Sequence, residues 1–234
     1  MFRLVNPAPE GTTRSTDAGT MVLFGIGSPL AIEAEESCLR LGLEIVGVHN
    51  IAGELHVTEA TRVVGLEAID PRLLNTAFIA PLFTPRHRQF AMTQARALGF
   101  SLPARLVDPT AVVARSATLG AGTWINAGVV IGGLVRIGES VIVNRATSIG
   151  HHCVIEDWCA IGPGVTLAGL ITVGRGTLIG AGAVIHPEVS IGANSVISAG
   201  TVLGKSVPKG SLVGGCPAQV IKQGLPGYRG GLRS

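Results

Sequence analysis

At 234 residues, with 47% hydrophobic but only 4% aromatic side chains, the chain has room for one or two domains and a core of aliphatic and small residues, which excludes an aromatic-rich sandwich or a base-stacking surface for single-stranded nucleic acid. Eighteen Lys and Arg against 15 Asp and Glu give a net charge of +3, too small to imply a nucleic-acid partner, and the excess sits in residues 205–234, which hold five basic and no acidic groups. Four cysteines without a C-x-x-C pair argue against a disulfide scaffold or a zinc ribbon, and with no apolar run of about 18 residues for a membrane span and no signal-peptide core the expectation is a soluble, cytoplasmic protein.

Residues 1–20, with Pro7, Pro9 and Gly11 among several Ser and Thr, read as a loose leader. From Met21 the pattern changes. An apolar run ends in Gly25-Ile26-Gly27 before a helical pattern at residues 30–41, a second run follows at 44–48, a third strand is predicted at 76–82, and an amphipathic helix at 85–98. Alternating strands and helices predict a small parallel α/β unit over residues 21–104. Gly25 and Gly27 admit two readings: a phosphate cradle of backbone N–H groups at a helix N-terminus, or simply a tight strand-to-helix turn. The dinucleotide fingerprint is incomplete, because Leu30 replaces its third glycine, Pro29 removes a donor, and His49-Asn50 stand where an acidic residue would close the second strand.

The next segment has a period of six. Stepping from Val107 to Leu203, all seventeen positions are Val, Ile or Leu. Two residues before each stands a small or β-branched side chain such as Thr147, Cys153, Cys159 or Val165, and a period of two puts both positions on one side of a strand, facing inward. The residue after the aliphatic site is often Gly, Asn or Ala, types that tolerate unusual turn dihedrals. Each hexad therefore reads as a short strand plus a corner. Three hexads make an 18-residue triangular coil, and residues 18 apart stack at about 4.8 Å.

Within the repeat, His151 falls two residues after an aliphatic site and should project outward from a corner, with Gly133 and Gly169 as its stacked neighbours. A histidine there suits general base catalysis, since its ordinary pKa lies near neutrality; a solvated corner residue is the plainer alternative. Cys153 and Cys159 fall at the small inward position and read as core filler. Trp158 reads as a corner residue covering a subunit seam, and His186 as a corner residue facing cofactor or solvent.

The hexads, covering residues 105–212, resemble the hexapeptide-repeat acyltransferases, whose fold is a left-handed parallel β-helix. Residues 21–222 resemble more closely the two-domain sugar acetyltransferases that include the bacillosamine-pathway N-acetyltransferases and sialic acid O-acetyltransferase relatives. That resemblance implies a mainly β chain with a Rossmann-like domain at 21–104, a β-helix at 105–212 and a tail at 213–234, assembling as a homotrimer. It implies acetyl-CoA as co-substrate, a sugar or nucleotide-sugar acceptor and no metal. Residue by residue, it implies His151 as catalytic base, Asn144 at the catalytic and acceptor site, Gly169 facing the thioester carbonyl through its N–H, and Gly180, Ala181 and Ala199 along the pantetheine. The segment from Val207 to Lys222 resembles the family's closing signature, with Cys216 and Gln219 departing from it. Lys205, Lys209 and Lys222, the only lysines in the chain, all lie there, placing a basic end where CoA phosphates would bind; a solvated basic tail is the alternative. Relatives place a carboxylate directly after the catalytic histidine. Here that residue is His152, so Glu156, Asp157 or a residue of an adjacent subunit becomes the candidate partner for His151, and Ala160 stands where some relatives have a further histidine.

Two other readings stay open. A γ-carbonic-anhydrase-like metalloenzyme would use the same fold, but Glu156 stands five residues after His151 and His186 is nearly two coils away. A non-catalytic trimeric scaffold would account for the incomplete glycine fingerprint and for His152.

Overall fold

The computed structural model describes residues 19–50 and 53–232. Of the leader expected over residues 1–20, only Gly19 and Thr20 fall among the described residues, and Thr20 already belongs to the first strand. An amino-terminal α/β unit comprises β1 (Thr20–Phe24), α1 (Ala31–Arg40), β2 (Glu44–His49), β3 (Thr61–Gly65), β4 (Ala77–Ile79) and α2 (Pro85–Ala97). Its strands are all parallel, in the order β3-β2-β1-β4. Central β1 and β2 are near-continuous apolar runs because both their faces are covered. The sequence reading did not foresee β3. It is an edge strand in which only Thr61 is buried, so it leaves no apolar run to detect.

The rest of the chain is a left-handed parallel β-helix. Seventeen two-residue strands, β5 (Leu106–Val107) to β21 (Val202–Leu203), recur every six residues, and each pairs with the strand 18 residues away, as Ile142 does with Trp124 and Ala160. The last turn adds β22 (Leu212–Gly214) and an antiparallel β23 (Gln219–Lys222). Inward side chains form one core, from Ile125 through Cys153, Ile155 and Cys159 to Val213, each large aliphatic contributing about 1.5–3 kcal/mol by leaving water.

The corners correct the dihedral reading. Left-handed backbone falls three residues after the aliphatic site, at Leu134 (φ 60°), His152 (φ 59°), Trp158 (φ 63°) and Leu170 (φ 63°), not directly after it. The glycines directly after the aliphatic sites serve stacking instead: a Cβ on Gly150 would lie 2.6 Å from the Ala168 carbonyl carbon, and one on Gly162 2.7 Å from the Ala181 nitrogen. Real Cβ atoms do not approach backbone that closely.

The prism has three faces. The first, whose outward residues include Trp124, Ile142, Ala160, Leu178 and Val196, is covered: Trp124 and Ile142 pack with Met21, Leu23 and Ile26 of the α/β unit, and Ala160, Leu178 and Val196 with Phe83 and Tyr228. The second presents Val112, Val130, Ser148, Thr166, Val184 and Val202, of which Val112 and Val130 are 61% and 46% exposed. The third presents Thr118, Arg136, Val154, Thr172 and Ser190. Trp158 also departs from expectation. It packs with Phe24, Phe78, Met92 and Phe100, so the seam it covers lies between the two parts of one chain.

Candidate active site

His151 stands at the corner between β12 (Ser148–Ile149) and β13 (Val154–Ile155). Its ring lies over Gly169 of the next coil: a Cβ on Gly169 would come within 2.6 Å of Cε1 and 2.8 Å of Nε2. Gly133, on the preceding coil, makes no such approach, and a Cβ there would meet Ser116 Oγ at 3.4 Å. The Gly169 carbonyl accepts from Glu188 N at 3.1 Å, while its N–H has no acceptor among the described residues. An imidazole nitrogen and an open backbone donor thus occupy adjacent coils of one corner, a pairing that acyl transfer through a tetrahedral oxyanion can use.

Among the described residues the polar contact of the His151 ring is with its own neighbour. His151 Nδ1 lies 3.0 Å from His152 Nδ1, with the rings at 87°. His152 itself has left-handed backbone, at φ 59°. Glu156 and Asp157 are committed elsewhere: Glu156 Oε2 accepts from Arg175 N and Asp157 Oδ1 from Glu139 N, each at 2.8 Å.

Asn144 is on a different corner. It is 7% exposed, and its Oδ1 accepts from Asn126 Nδ2 at 3.0 Å and from Arg145 N at 2.8 Å, so it is a rung in a buried amide ladder; Asn126, 18 residues earlier, was the available signal. Gly180, Ala181 and Ala199 belong to the same corner column. This column and the column of His151, Gly169 and Lys205 are the two edges of the second face. Lys205 lines a cavity of about 520 Å³ with Val202, Ala218 and Gln219, Lys209 lines another of about 330 Å³ at the third corner, and Lys222 is exposed on β23.

A further cavity of about 420 Å³ opens beyond the carboxyl ends of β1 and β4, lined by Gly27, Ser28, Asn50, Arg86, His87, Phe90 and Arg229 among others. Gly27 faces this space. Gly25 instead holds the turn at φ 97°, with its N–H donating to Val48 at 2.9 Å. Arg229 comes from the tail, which folds back so that Leu232 packs beside α2 residues; nothing local in the sequence marks that return. His151 is not among the residues lining this cavity.

Other candidates settle simply. Burial pushes the Cys159 thiol up to about 12 and raises that of Cys153, which suits packing and disfavours nucleophilic attack. The His186 ring lies beside Gly204. Among the described residues no group of three His, Cys, Asp or Glu is placed to hold a metal ion.

Comparison with known proteins fits this geometry. Residues 171–205 match the family model described as bacterial transferase hexapeptide (six repeats). A substituted form of the perosamine N-acetyltransferase from Caulobacter crescentus, solved with CoA and GDP-perosamine, is 30% identical with a TM-score of 0.74 over 88% of this chain and 98% of that one. The acetyltransferase domain of PglB from Neisseria gonorrhoeae, solved with acetyl coenzyme A, is 28% identical with a TM-score of 0.77 over 86% and 98%. WeeI from Acinetobacter baumannii, at 20% identity and a TM-score of 0.71 over 87% and 99%, shares the fold. No curated protein matches the chain in sequence.

Proposed function

The chain belongs to the hexapeptide-repeat sugar acetyltransferases and is an acyltransferase that uses acyl-CoA, and from that membership we propose that it transfers the acetyl group of acetyl-CoA to the amine of a nucleotide-linked sugar, with His151 as general base. The observation that carries this reading is the stacking of His151 on Gly169, beside a backbone N–H with no acceptor among the described residues.

In the proposed reaction the amine attacks the thioester carbonyl while His151 Nε2 takes its proton. The negative charge that develops on the carbonyl oxygen is met by the Gly169 N–H, a kind of donor whose loss typically costs about 10² to 10³ in rate. Collapse of the tetrahedral species breaks the carbon–sulfur bond, and the His151 imidazolium returns the proton to the departing CoA thiolate. The cavity holding Arg86, His87 and Arg229 has the charge to receive a diphosphate, and the exposed ring of Phe90 offers a base a surface.

Acetyl-CoA and acceptor meet, on this reading, between protomers of a homotrimer. The second face carries no charged residue among its outward strand positions, and its exposed valines, Val112, Val130 and Val184, are apolar area that a neighbour would cover. Its two edges carry the two halves of the implied CoA site: His151, Gly169 and Lys205 on one, and Gly180, Ala181 and Ala199 on the other. A neighbour on this face brings one subunit's first edge to the next subunit's second edge, and its Asn144 with it.

The test is CoA release from acetyl-CoA against a panel of nucleotide amino sugars and free sugars, with His151→Ala as control. Turnover that needs both an amino sugar nucleotide and His151 is the expected result; equal turnover by His151→Ala removes the base assignment, and turnover with hydroxyl acceptors alone removes the amine.

A further inference from the structure

Two imidazoles whose Nδ1 atoms lie 3.0 Å apart can hold only one proton between those atoms. If both carried hydrogen, two N–H groups would face each other; if neither did, two lone pairs would. One ring donates and the other accepts, and this fixes the tautomer of both. With His151 as donor, its Nε2 keeps a lone pair and lies on the side of the ring facing Gly169. With His152 as donor, the hydrogen of His151 sits on Nε2 and the base is lost.

The base role of His151 selects the first arrangement for its neighbour His152. The cavity of about 430 Å³ beside its ring is lined by Ser116, Thr118, Leu134, Arg136 and Leu170, so the only charged side chain in the lining is the cation of Arg136. Both arrangements leave both rings neutral, and only the first leaves the Nε2 of His151 free to take a proton. His152 therefore keeps its proton on Nε2 and offers Nδ1 as acceptor.

We propose that His152 is a positioning residue for the reaction: its Nδ1 accepts from His151 Nδ1–H, holds the ring on Gly169 with Nε2 unprotonated, and continues to accept after His151 has taken the substrate proton. In that step the N–H bond of the substrate breaks, its proton moves to His151 Nε2, and the His151–His152 bond becomes a hydrogen bond from a cation to a neutral acceptor, which is stronger than the neutral one. The inference rests on His151 being the base.

Substitutions at residue 152 must respect its left-handed backbone. Glycine and asparagine both do. His152→Gly removes the acceptor, whereas His152→Asn places Oδ1 at the position of Nδ1 and retains it. The expected result is that His152→Gly lowers kcat by about 10², leaves the KM for acetyl-CoA unchanged and shifts the ¹⁵N NMR signals of His151 from an Nδ1–H tautomer to a mixture, while His152→Asn restores both the tautomer and most of kcat. Wild-type kcat in His152→Gly, or an unchanged His151 tautomer, overturns the proposal, as does failure of His152→Asn to recover activity when His152→Gly has lost it. His151→Ala separates this outcome from failure of the base assignment: an inactive His151→Ala protein beside a fully active His152→Gly protein retains the base and rejects the pair.

Discussion

Arg88 of α2 donates through Nε to the carbonyl oxygen of Ser140 at 2.8 Å, joining the α/β unit to a corner of the β-helix. Its other nitrogens donate to the carbonyls of Leu82, Phe83, Trp158 and Cys159 at 2.5–3.0 Å. The guanidinium is buried, and burial pulls its pKa down to about 9. A buried cation met by five carbonyl dipoles is satisfied only by five donors in a planar fork, which lysine lacks. Arg88→Met should therefore strip the guanidinium donor from five carbonyls, of which Cys159 keeps the Ile142 N–H, and cost about 3 kcal/mol or more, and Arg88→Lys should recover little of it. Calorimetric unfolding measures both, and an Arg88→Met protein as stable as wild type would show that the clamp is dispensable.

The same clamp shows why the seam was harder to read than the coils. The period of six is a record of side-chain packing, since Ile149, Ile155 and Ile161 must be aliphatic to fill the prism, and it is written directly in the residues. The acceptors of Arg88 are backbone carbonyls that any sequence supplies, so nothing in the chain announces its partners. Covering of the first face was latent in Trp124, Ile142 and Leu178, outward positions that are apolar where Arg136 and Thr172 are polar. The candidate site was legible in part. The 18-residue stacking rule placed Gly169 against His151, whereas the seven residues from Asn144 to His151 carry the chain across one face, so that within one chain the two stand at different corners. The substitution of His152 for a carboxylate read as a loss because only its charge was weighed, whereas the structure sets its Nδ1 3.0 Å from that of His151.

Asp108 forms the second tie between the two parts of the chain. Its buried carboxylate accepts from Ser37 Oγ at 2.7 Å, from Arg40 Nε at 2.9 Å and from Thr110 Oγ1 at 2.6 Å. Burial pushes the carboxyl upward, but the hydrogen bonds from Arg40, Thr110 and Ser37 outweigh it and hold the pKa at about 2, below the ordinary 3.8. A depressed carboxylate stabilises the fold fully above its unfolded value and loses that contribution as the pH falls through the folded one. The window is therefore about pH 4 down to 2, and the contribution about 2 kcal/mol. Asp108→Asn should be less stable than wild type by about that amount at pH 7, with the gap narrowing through this window. Denaturant unfolding at pH 7 and pH 3 gives the comparison; a gap that stays constant across both would contradict the shift.

The thiols should divide sharply in reactivity. Cys38 and Cys159 are buried with pKa values near 12, Cys153 is buried with its pKa raised, and Cys216 alone is exposed. Because the thiolate is the reacting species, a disulfide reagent should titrate one thiol per native chain and four after denaturation. Cys216→Ser should remove the native reaction while leaving turnover unchanged, which also lowers the background in any thiol-detected CoA assay. Rapid labelling of more than one thiol in the native protein would mean that the β-helix opens on the assay timescale.

Gly169 is where packing and chemistry constrain the same atom. A methyl group there would lie 2.6 Å from His151 Cε1 and 3.2 Å from Nδ1, so Gly169→Ala forces the ring to rotate. The ring has solvent to rotate into, and the φ of Gly169 is not left-handed, so the fold should tolerate the change within about 1 kcal/mol. Rotation carries Nδ1 away from His152 and Nε2 away from the corner where, in the proposed reaction, the substrate amine sits. An ångström-scale displacement of a reacting group can cost about 10² in rate, so kcat should fall by that order while unfolding stays near wild type. The Gly169 N–H survives the substitution, so the loss reports on the position of His151 rather than on the oxyanion donor. Near-normal kcat in a Gly169→Ala protein would mean that the His151 ring does not need its place on Gly169 during turnover.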